Sequence, residues 1–508
     1  MGRVRPPPEE TAVTESHAQA VPPTLSVDVV VLGAGAVGEN VADRAGRTGL
    51  SVAIVEEALV GGECSYWACM PSKALLRPGA VLAQARAVAG AAGAVTGRVD
   101  VAATLASRDA VVHGWDDASQ VEWLDGVGIR LVRGRGRLAG PRRVVVTPVD
   151  GAPPVVVEAR RAVVVATGSA PVLPEVPGLA DVEPWTSREA TAVRDVPGSI
   201  AIVGSGVVAT ETATAFADLG ARVTLLARGD RLLSAFEPFA GEAVAASLAD
   251  LGVDVRLGAA LAHAARTDGG GTRLELSDGG TLDVDRVLVA TGRRPRTTDL
   301  GLETVGLEPG TPLTVDDAGC VTAVPDGWLW AAGDVTGRTN TTHQGKYDAR
   351  VTGDAVAARF GSPAEEGPEA DGDDGWSPLR AMADHAAVPQ VVFTRPEVAA
   401  VGRTAEAARA AGLDVRVVDV PLSAVGGTTV FGTGDGPHDD GGTARIVVDE
   451  ARRVVVGATF VGPEVAEMLH AATIAVVGQV PLPRLWHAVP AYPTRSEIWL
   501  RLLEAYGL

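Results

Sequence analysis

Two stretches of this chain superpose on each other without a gap, and each demands strand, tight turn, helix and second strand in that order. In the first, the apolar run 27–32 enters Gly33-x-Gly35-x-x-Gly38, a helix is predicted to about Gly46, and the strand 51–55 ends on Glu56. In the second, residues 200–203 enter Gly204-x-Gly206-x-x-Ala209, with a helix and the strand 223–226 behind it. A continuous apolar run between turn residues marks a parallel strand buried on both faces. The glycines let the backbone turn tightly and approach a pyrophosphate, which the helix N-terminus then stabilises. A lone G-x-G-x-x-G says little, but strand, glycines, helix, strand and terminal acid in register predict a dinucleotide-binding unit. Twenty-three residues beyond the first glycine stands Glu56 (56 − 33), and the equivalent position of the second unit is Ala227 (227 − 204), followed by Arg228 and Arg231. A carboxylate there takes ribose hydroxyls and repels a 2′-phosphate, whereas arginine binds that phosphate bidentately. The first unit is therefore expected to hold a nucleotide with a free ribose. The second is expected to hold NADP(H), with NAD(H) as the other option. The plain alternative is that the arginines only solvate a loop.

Directly after the first unit comes the segment from Gly61 and Gly62 to Lys73, G-G-E-C-S-Y-W-A-C-M-P-S-K, with Cys64 and Cys69 among only three cysteines in 508 residues. Such a pair can clip a metal, form a structural disulfide, or carry redox chemistry. A structural zinc site needs four ligands, and no second Cys/His cluster at ligand spacing follows. A disulfide closing so short a loop stabilises little. A redox pair remains, set against two simply buried cysteines. Three shorter apolar strands end in glycine turns: 162–166 before Thr167-Gly168-Ser169, 287–290 before Thr291-Gly292-Arg293, and 328–332 before Gly333-Asp334. Asp334 can accept from a sugar hydroxyl or cap the next helix, and the two roles are compatible.

Composition bounds the rest. The length suggests about three domains. The balance is acidic, 63 Asp and Glu against 44 Lys and Arg, with no basic run of the kind nucleic acid requires. An odd, small cysteine count fits a reducing cytoplasm better than a secreted scaffold. No apolar run approaches the roughly 18 residues of a membrane span. Residues 1–26 lack the apolar core of a signal peptide and read as a disordered tail. An acidic Gly/Pro stretch from 362 reads as a linker, 432–442 as a surface loop, and strand and helix patterns from about 383 onward as an α+β unit, with helices expected at 464–477 and 496–505.

These motifs, together with F-T-R-P-E at 393–397 and P-T-R-S-E at 493–497, resemble the FAD- and pyridine-nucleotide-dependent disulfide oxidoreductases over nearly all of 27–508. The resemblance implies an α/β fold of two Rossmann-like domains plus an α+β dimerisation domain. An FAD domain would span 27–180 and 300–361, an NAD(P) domain 181–299, a linker 362–382 and the interface domain 383–508. It implies a homodimer whose active sites are completed by the partner subunit, acting on a small-molecule substrate. Reduced nicotinamide would pass hydride to the flavin, which reduces a Cys64–Cys69 disulfide, with Cys69 nearest the flavin and Cys64 as the interchange thiol. Lys73 would pair with Glu211 beside the flavin. Because cysteines five residues apart cannot bridge within a regular helix, the segment is expected to be irregular up to about Cys69.

The chain also departs from the pattern. Disulfide-reducing members carry a histidine before P-T, paired with the glutamate that survives here as Glu497, yet that position is Tyr492. A phenol donates a hydrogen bond but is a poor base near neutral pH. His487 could substitute, or could be an ordinary helix-terminal histidine. Val207 stands where many members place a tyrosine over the nicotinamide pocket. The paired C-terminal cysteines of mercuric reductases are absent, which disfavours mercury. The first expectation is thus NADPH-driven reduction of a small disulfide. The alternatives are quinone or oxygen reduction, thioether cleavage of the ketopropyl-coenzyme M kind, and a flavin redox sensor.

Overall fold

The computed structural model describes residues 23–362, 376–431 and 441–508. Most of the expected tail, of the acidic linker and of the loop 432–442 therefore lies outside the described residues. The tail does end sooner than 26, because the first strand already begins at Thr24.

Strands Arg130–Arg133, Val52–Glu56, Thr24–Leu32 and Val155–Val165 lie side by side in that order, all parallel. Leu329–Ala331 adds in parallel to one half of Val155–Val165, and Arg143–Thr147 pairs antiparallel with the other half. Val29 and Val31 pack with Val41, Ala45, Ala349 and Val356 of the helices Ala36–Gly46 and Thr342–Phe360. Val30 and Leu32 pack on the opposite side with Val144, Val163 and Leu329. With both faces covered, the strand has no polar alternation to show, which is why its apolar run was legible.

The second unit is a parallel sheet in the order Asp254–Leu257, Arg222–Ala227, Ser199–Val203, Arg286–Val289. A three-stranded antiparallel sheet built from Leu261–Arg266, Thr272–Leu276 and Thr281–Val284 lies against it. The chain crosses between the two units on a two-stranded ribbon, Ser169–Pro171 against Arg293–Pro295. Leu179 packs in the second core with Leu226 and Leu274, so the crossing falls a few residues before the expected boundary at about 180.

Five antiparallel strands form the C-terminal unit, with the wholly buried Val454–Gly462 at its centre, and helices Leu469–Val477 and Ile498–Tyr506 close its core. Both helices start later than the periodicity predicts. Glu464 adopts a left-handed φ of 59° and Val465–Met468 form a 3-10 turn, as Arg495–Glu497 do before the last helix. The class is α/β with an α+β C-terminal domain, and among the described residues no helix is long and apolar enough to cross a membrane.

Candidate functional site

The cysteine segment is helix, break, helix. Gly62–Tyr66 form a single short helix carrying Cys64. Trp67 and Ala68 leave helical geometry, with φ/ψ of −138/4° and −135/−97°, and Cys69 begins the 19-residue helix Cys69–Ala87. The expected irregularity is thus confined to the two residues between the turns. The break lets the two thiols meet: the Cys64 S–H donates to the Cys69 sulfur. Thr342 Oγ1 lies 3.2 Å from Cys69 Sγ, and Thr342 is itself the first residue of a second 19-residue helix. Two helix N-termini, with their unpaired N–H groups, therefore converge on one thiol, and Lys73 and Lys346 stand one turn along each helix. The Cys64 donor, Thr342 and Lys73 together bring the Cys69 thiol from 9.0 down to about 6 against the opposing effect of burial. The same hydrogen bond, with burial, pushes Cys64 well up. One proton shared unequally by two thiols leaves Cys69 as the thiolate and Cys64 as the thiol.

Lys73 Nζ lies 2.7 Å from Glu211 Oε2. Glu211 is 5% exposed on the helix Val207–Asp218, which springs from the second glycine turn. Its other oxygen accepts from Phe393 N at 2.9 Å, and the Phe393 ring sits under Lys73 Nζ. Two residues on, Arg395 grips Asp218 of the same helix through two bonds of 2.7 Å. F-T-R-P-E therefore orients the carboxylate of the pair.

Both glycine turns have the close approaches their sequences imply. A Cβ on Gly33 (φ +98°) would sit 2.5 Å from Ala166 O, and one on Gly62 (φ +63°) 2.6 Å from Gly35 Cα, so these backbones touch with no room for a side chain. Gly38 turns its missing side chain onto Gly33 O. Glu56 folds back onto the turn, accepting from Ala34 N at 2.7 Å and Ala58 N at 2.8 Å. Along a cleft of about 1540 Å³ the structure assembles Gly33, Gly35, Glu56, Gly62, Cys64, Cys69, Lys73, Thr167, Gly168, Glu211 and Asp334. Asp334 does not cap a helix; its carboxylate accepts from Ser169 Oγ at 2.5 Å, while Gly333 packs against Val37. Ser169 Oγ in turn accepts from Arg293, and Arg293 and Arg296 both pair with Glu63, the neighbour of Cys64. The Thr339 and Thr341 hydroxyls, also in the cleft, are buried without a partner among the described residues. A glycine cradle, a ribose-type carboxylate and orphaned hydroxyls in one long cleft fit FAD.

In the second turn Gly204 (φ +145°) abuts Ala290 O, Gly206 is the extended N-cap residue of the helix Val207–Asp218, and Ala209 is fully buried. Gly292 (φ +142°) leads into the ribbon and accepts from Val172 N. Arg228 is exposed just past the strand end, and the loop bearing Arg231 is pinned to the turn by Leu233 N donating to Ser205 O at 2.8 Å.

Tyr492, Glu497 and His487 do not reach the cysteine cleft of their own protomer. Tyr492 is 78% exposed and Glu497 7%. The two flank Gly426, whose Cβ would lie 3.1 Å from the Tyr492 ring and 3.5 Å from Glu497 Oε2, and that oxygen is buried without a partner among the described residues. His487 is exposed. Sequence reasoning missed Glu63, Arg296 and Thr342, together with His343 and His470, which do line the cleft. The available hint was that Thr342 and Lys346 repeat the four-residue spacing of Cys69 and Lys73 at the start of a long helix.

A family model described as pyridine nucleotide-disulphide oxidoreductase matches residues 27–349, and one for the dimerisation domain of these oxidoreductases matches 388–502. Dihydrolipoyl dehydrogenase from Halobacterium salinarum is 32% identical over 503 residues, covering 95% of this chain and 96% of its own length. Mercuric reductase from Staphylococcus aureus is 30% identical over 475 residues, covering 92% and 80%. Among solved structures, LpdA from Mycobacterium tuberculosis is 25% identical with a TM-score of 0.78, covering 95% of this chain and 100% of its own. A Cu(II) complex of the HOCl-induced flavoprotein disulfide reductase RclA from Escherichia coli, at 24% identity, a TM-score of 0.78 and coverage of 94% and 99%, shares the fold.

Proposed function

The chain belongs to the pyridine nucleotide-disulphide oxidoreductase family, and within it we propose an enzyme that takes two electrons from NADPH and delivers them through the Cys64–Cys69 pair to a small disulfide. The observation that carries this reading is the placing of Cys64 and Cys69 on either side of a helix break, with Thr342 against Cys69, in the cleft that also holds the Lys73–Glu211 pair. FAD, when bound, supplies two-electron transfer between the nicotinamide and the cysteine pair. The residues of the chain supply the rest. Gly33, Gly35, Gly62, Glu56, Thr167, Gly168 and Asp334 hold the dinucleotide, and Lys73, kept in place by Glu211, presents a cation to charge that builds in the cleft. Cys69, at its helix N-terminus, retains negative charge in the dithiol. Cys64 attacks the substrate disulfide once its proton has left, displacing one thiol; Cys69 then attacks Cys64, releasing the second thiol and re-forming the S–S bond. Arg228 and Arg231 support NADPH at the second turn, and the exposed Tyr492 with Glu497 supports completion of the site by the partner subunit in a homodimer in a reducing cytoplasm.

An anaerobic titration of the holoenzyme with NADPH tests the reading. A long-wavelength thiolate band, present in the wild type and lost in Cys69→Ser, is expected, along with NADPH-dependent turnover of small disulfides that Cys64→Ser abolishes. The absence of a histidine at 492 favours one second reading, in which the dithiol is bypassed; quinone turnover surviving Cys64→Ser would establish it in place of the first.

A further inference from the structure

The break between the two cysteines is held at Trp67 from outside its own domain. Trp67, the first residue of the break, stacks its ring beneath Arg188, whose guanidinium carbon lies 3.6 Å from the ring centroid. Its carbonyl lies 2.9 Å from Thr191 Oγ1, a hydroxyl that also reaches Ser187 O at 2.9 Å. Arg188 and Thr191 share the short helix Ser187–Thr191, fixed at its start by a Thr186–Glu189 capping box. That helix is moored to the second sheet: Trp185 N donates to Val287 O, Val289 N donates to Trp185 O, and Ala190 and Val193 lie in the second core. Arg108, 1% exposed, clamps its other end by donating to Thr191 O and Val193 O.

We propose that Arg188 and Thr191 are positioning residues that hold the Trp67–Ala68 break open and thereby set the equilibrium between the Cys64–Cys69 dithiol and its disulfide. The physical reason is geometric. Without the break, residues 62–87 would run on as one helix, and cysteines five residues apart in a regular helix lie too far apart to bridge. Gripping the Trp67 ring and carbonyl excludes the healed helix and keeps the two sulfurs at high effective concentration. The helix that does the gripping packs on the second sheet and is tied at its end to the first unit by Arg108, so the break is held where the two units meet. This inference rests on the Cys64–Cys69 pair being the redox couple.

The test is equilibration of the holoenzyme in glutathione buffers of graded ratio, with free thiols trapped by alkylation and read by mass. In this exchange the protein S–S bond breaks as two glutathione thiols are oxidised to their disulfide, their electrons and protons passing to Cys64 and Cys69. The expected result is a disulfide in the wild type and an equilibrium shifted towards dithiol by at least about tenfold in Arg188→Met. Thr191→Val should shift the same way, and Arg188→Lys, which keeps a cation over the ring, should recover most of the wild-type value. A wild type that never forms the Cys64–Cys69 disulfide would overturn the proposed function itself. A wild-type disulfide whose equilibrium moves less than about twofold in both Arg188→Met and Thr191→Val would overturn only the positioning role.

Discussion

Replacing Cys64 with alanine tests whether its S–H is what makes Cys69 a thiolate. In the native pair Cys69 is lowered from 9.0 to about 6, with the hydrogen bond from Cys64 as the largest contribution and Thr342 and Lys73 behind it. Because the Cys64 donor is the largest favourable contribution and burial acts against ionisation, its removal should raise Cys69 by at least about one unit. The sign is fixed: below the native value the thiol is protonated in both proteins, above the variant's own raised value it is ionised in both, and only in the window between the two should the variant be the less ionised. The assay is alkylation of the fully reduced holoprotein across that range, with the Cys69 peptide followed by mass so that Cys320 does not intrude. Thr342→Val and Lys73→Met should each move the midpoint up by less than Cys64→Ala does. A midpoint that stays at about 6 in Cys64→Ala would refute the reasoning and assign the thiolate to the two helix N-termini and Lys73 alone.

Lys73→Met should destabilise the protein by about 1–3 kcal/mol in chemical denaturation, because it removes the cation from the 5%-exposed Glu211 carboxylate, which keeps only the Phe393 amide; Glu211→Gln, which still accepts from Phe393 N, should cost less, and the reverse order would mean the pair is not held as described. On the nucleotide, changing Ala227 to Glu and both Arg228 and Arg231 to neutral residues should invert a preference for NADPH, each lost charge-assisted contact costing about 1.5–3 kcal/mol; equal kcat/KM for NADPH and NADH in the native enzyme would defeat it. Tyr492→His should raise disulfide turnover near neutral pH by about 10²-fold by supplying a base, with native turnover otherwise climbing as the raised Cys64 thiol begins to ionise. If that variant is unchanged while His487→Ala is inactive, His487 is the base.

What could be read from the sequence is what neighbouring residues impose on one another. The glycine turns at 33–38 and 204–209, the strands feeding them and the exchange of Glu56 for Ala227 are contiguous constraints: a backbone that must turn without a Cβ, and a strand without a polar face, announce themselves in order. The break between Cys64 and Cys69 was foreseeable for the same reason, since five residues of helix cannot bring two sulfurs together. Tertiary structure decided what surrounds those sulfurs. Thr342 reaches Cys69 across 273 positions of sequence, Arg293 reaches Glu63 across 230, and the Phe393 amide that orients Glu211 comes from 182 positions away. No local periodicity encodes such encounters, because they depend on where whole sheets and helices come to rest. The helix Leu469–Val477 begins later than its apolar spacing suggested because Glu464 is left-handed, and a single αL residue breaks a helix that propensity would extend; the last helix begins later because Arg495–Glu497 wind as a 3-10 turn. Tyr492 and Glu497 mark the far limit of what one chain specifies: their identity was plain from the motif, yet within one protomer they lie away from the cysteines. His470 of the same domain does line the cleft, so where each segment of that domain comes to rest decides which of its side chains arrive there.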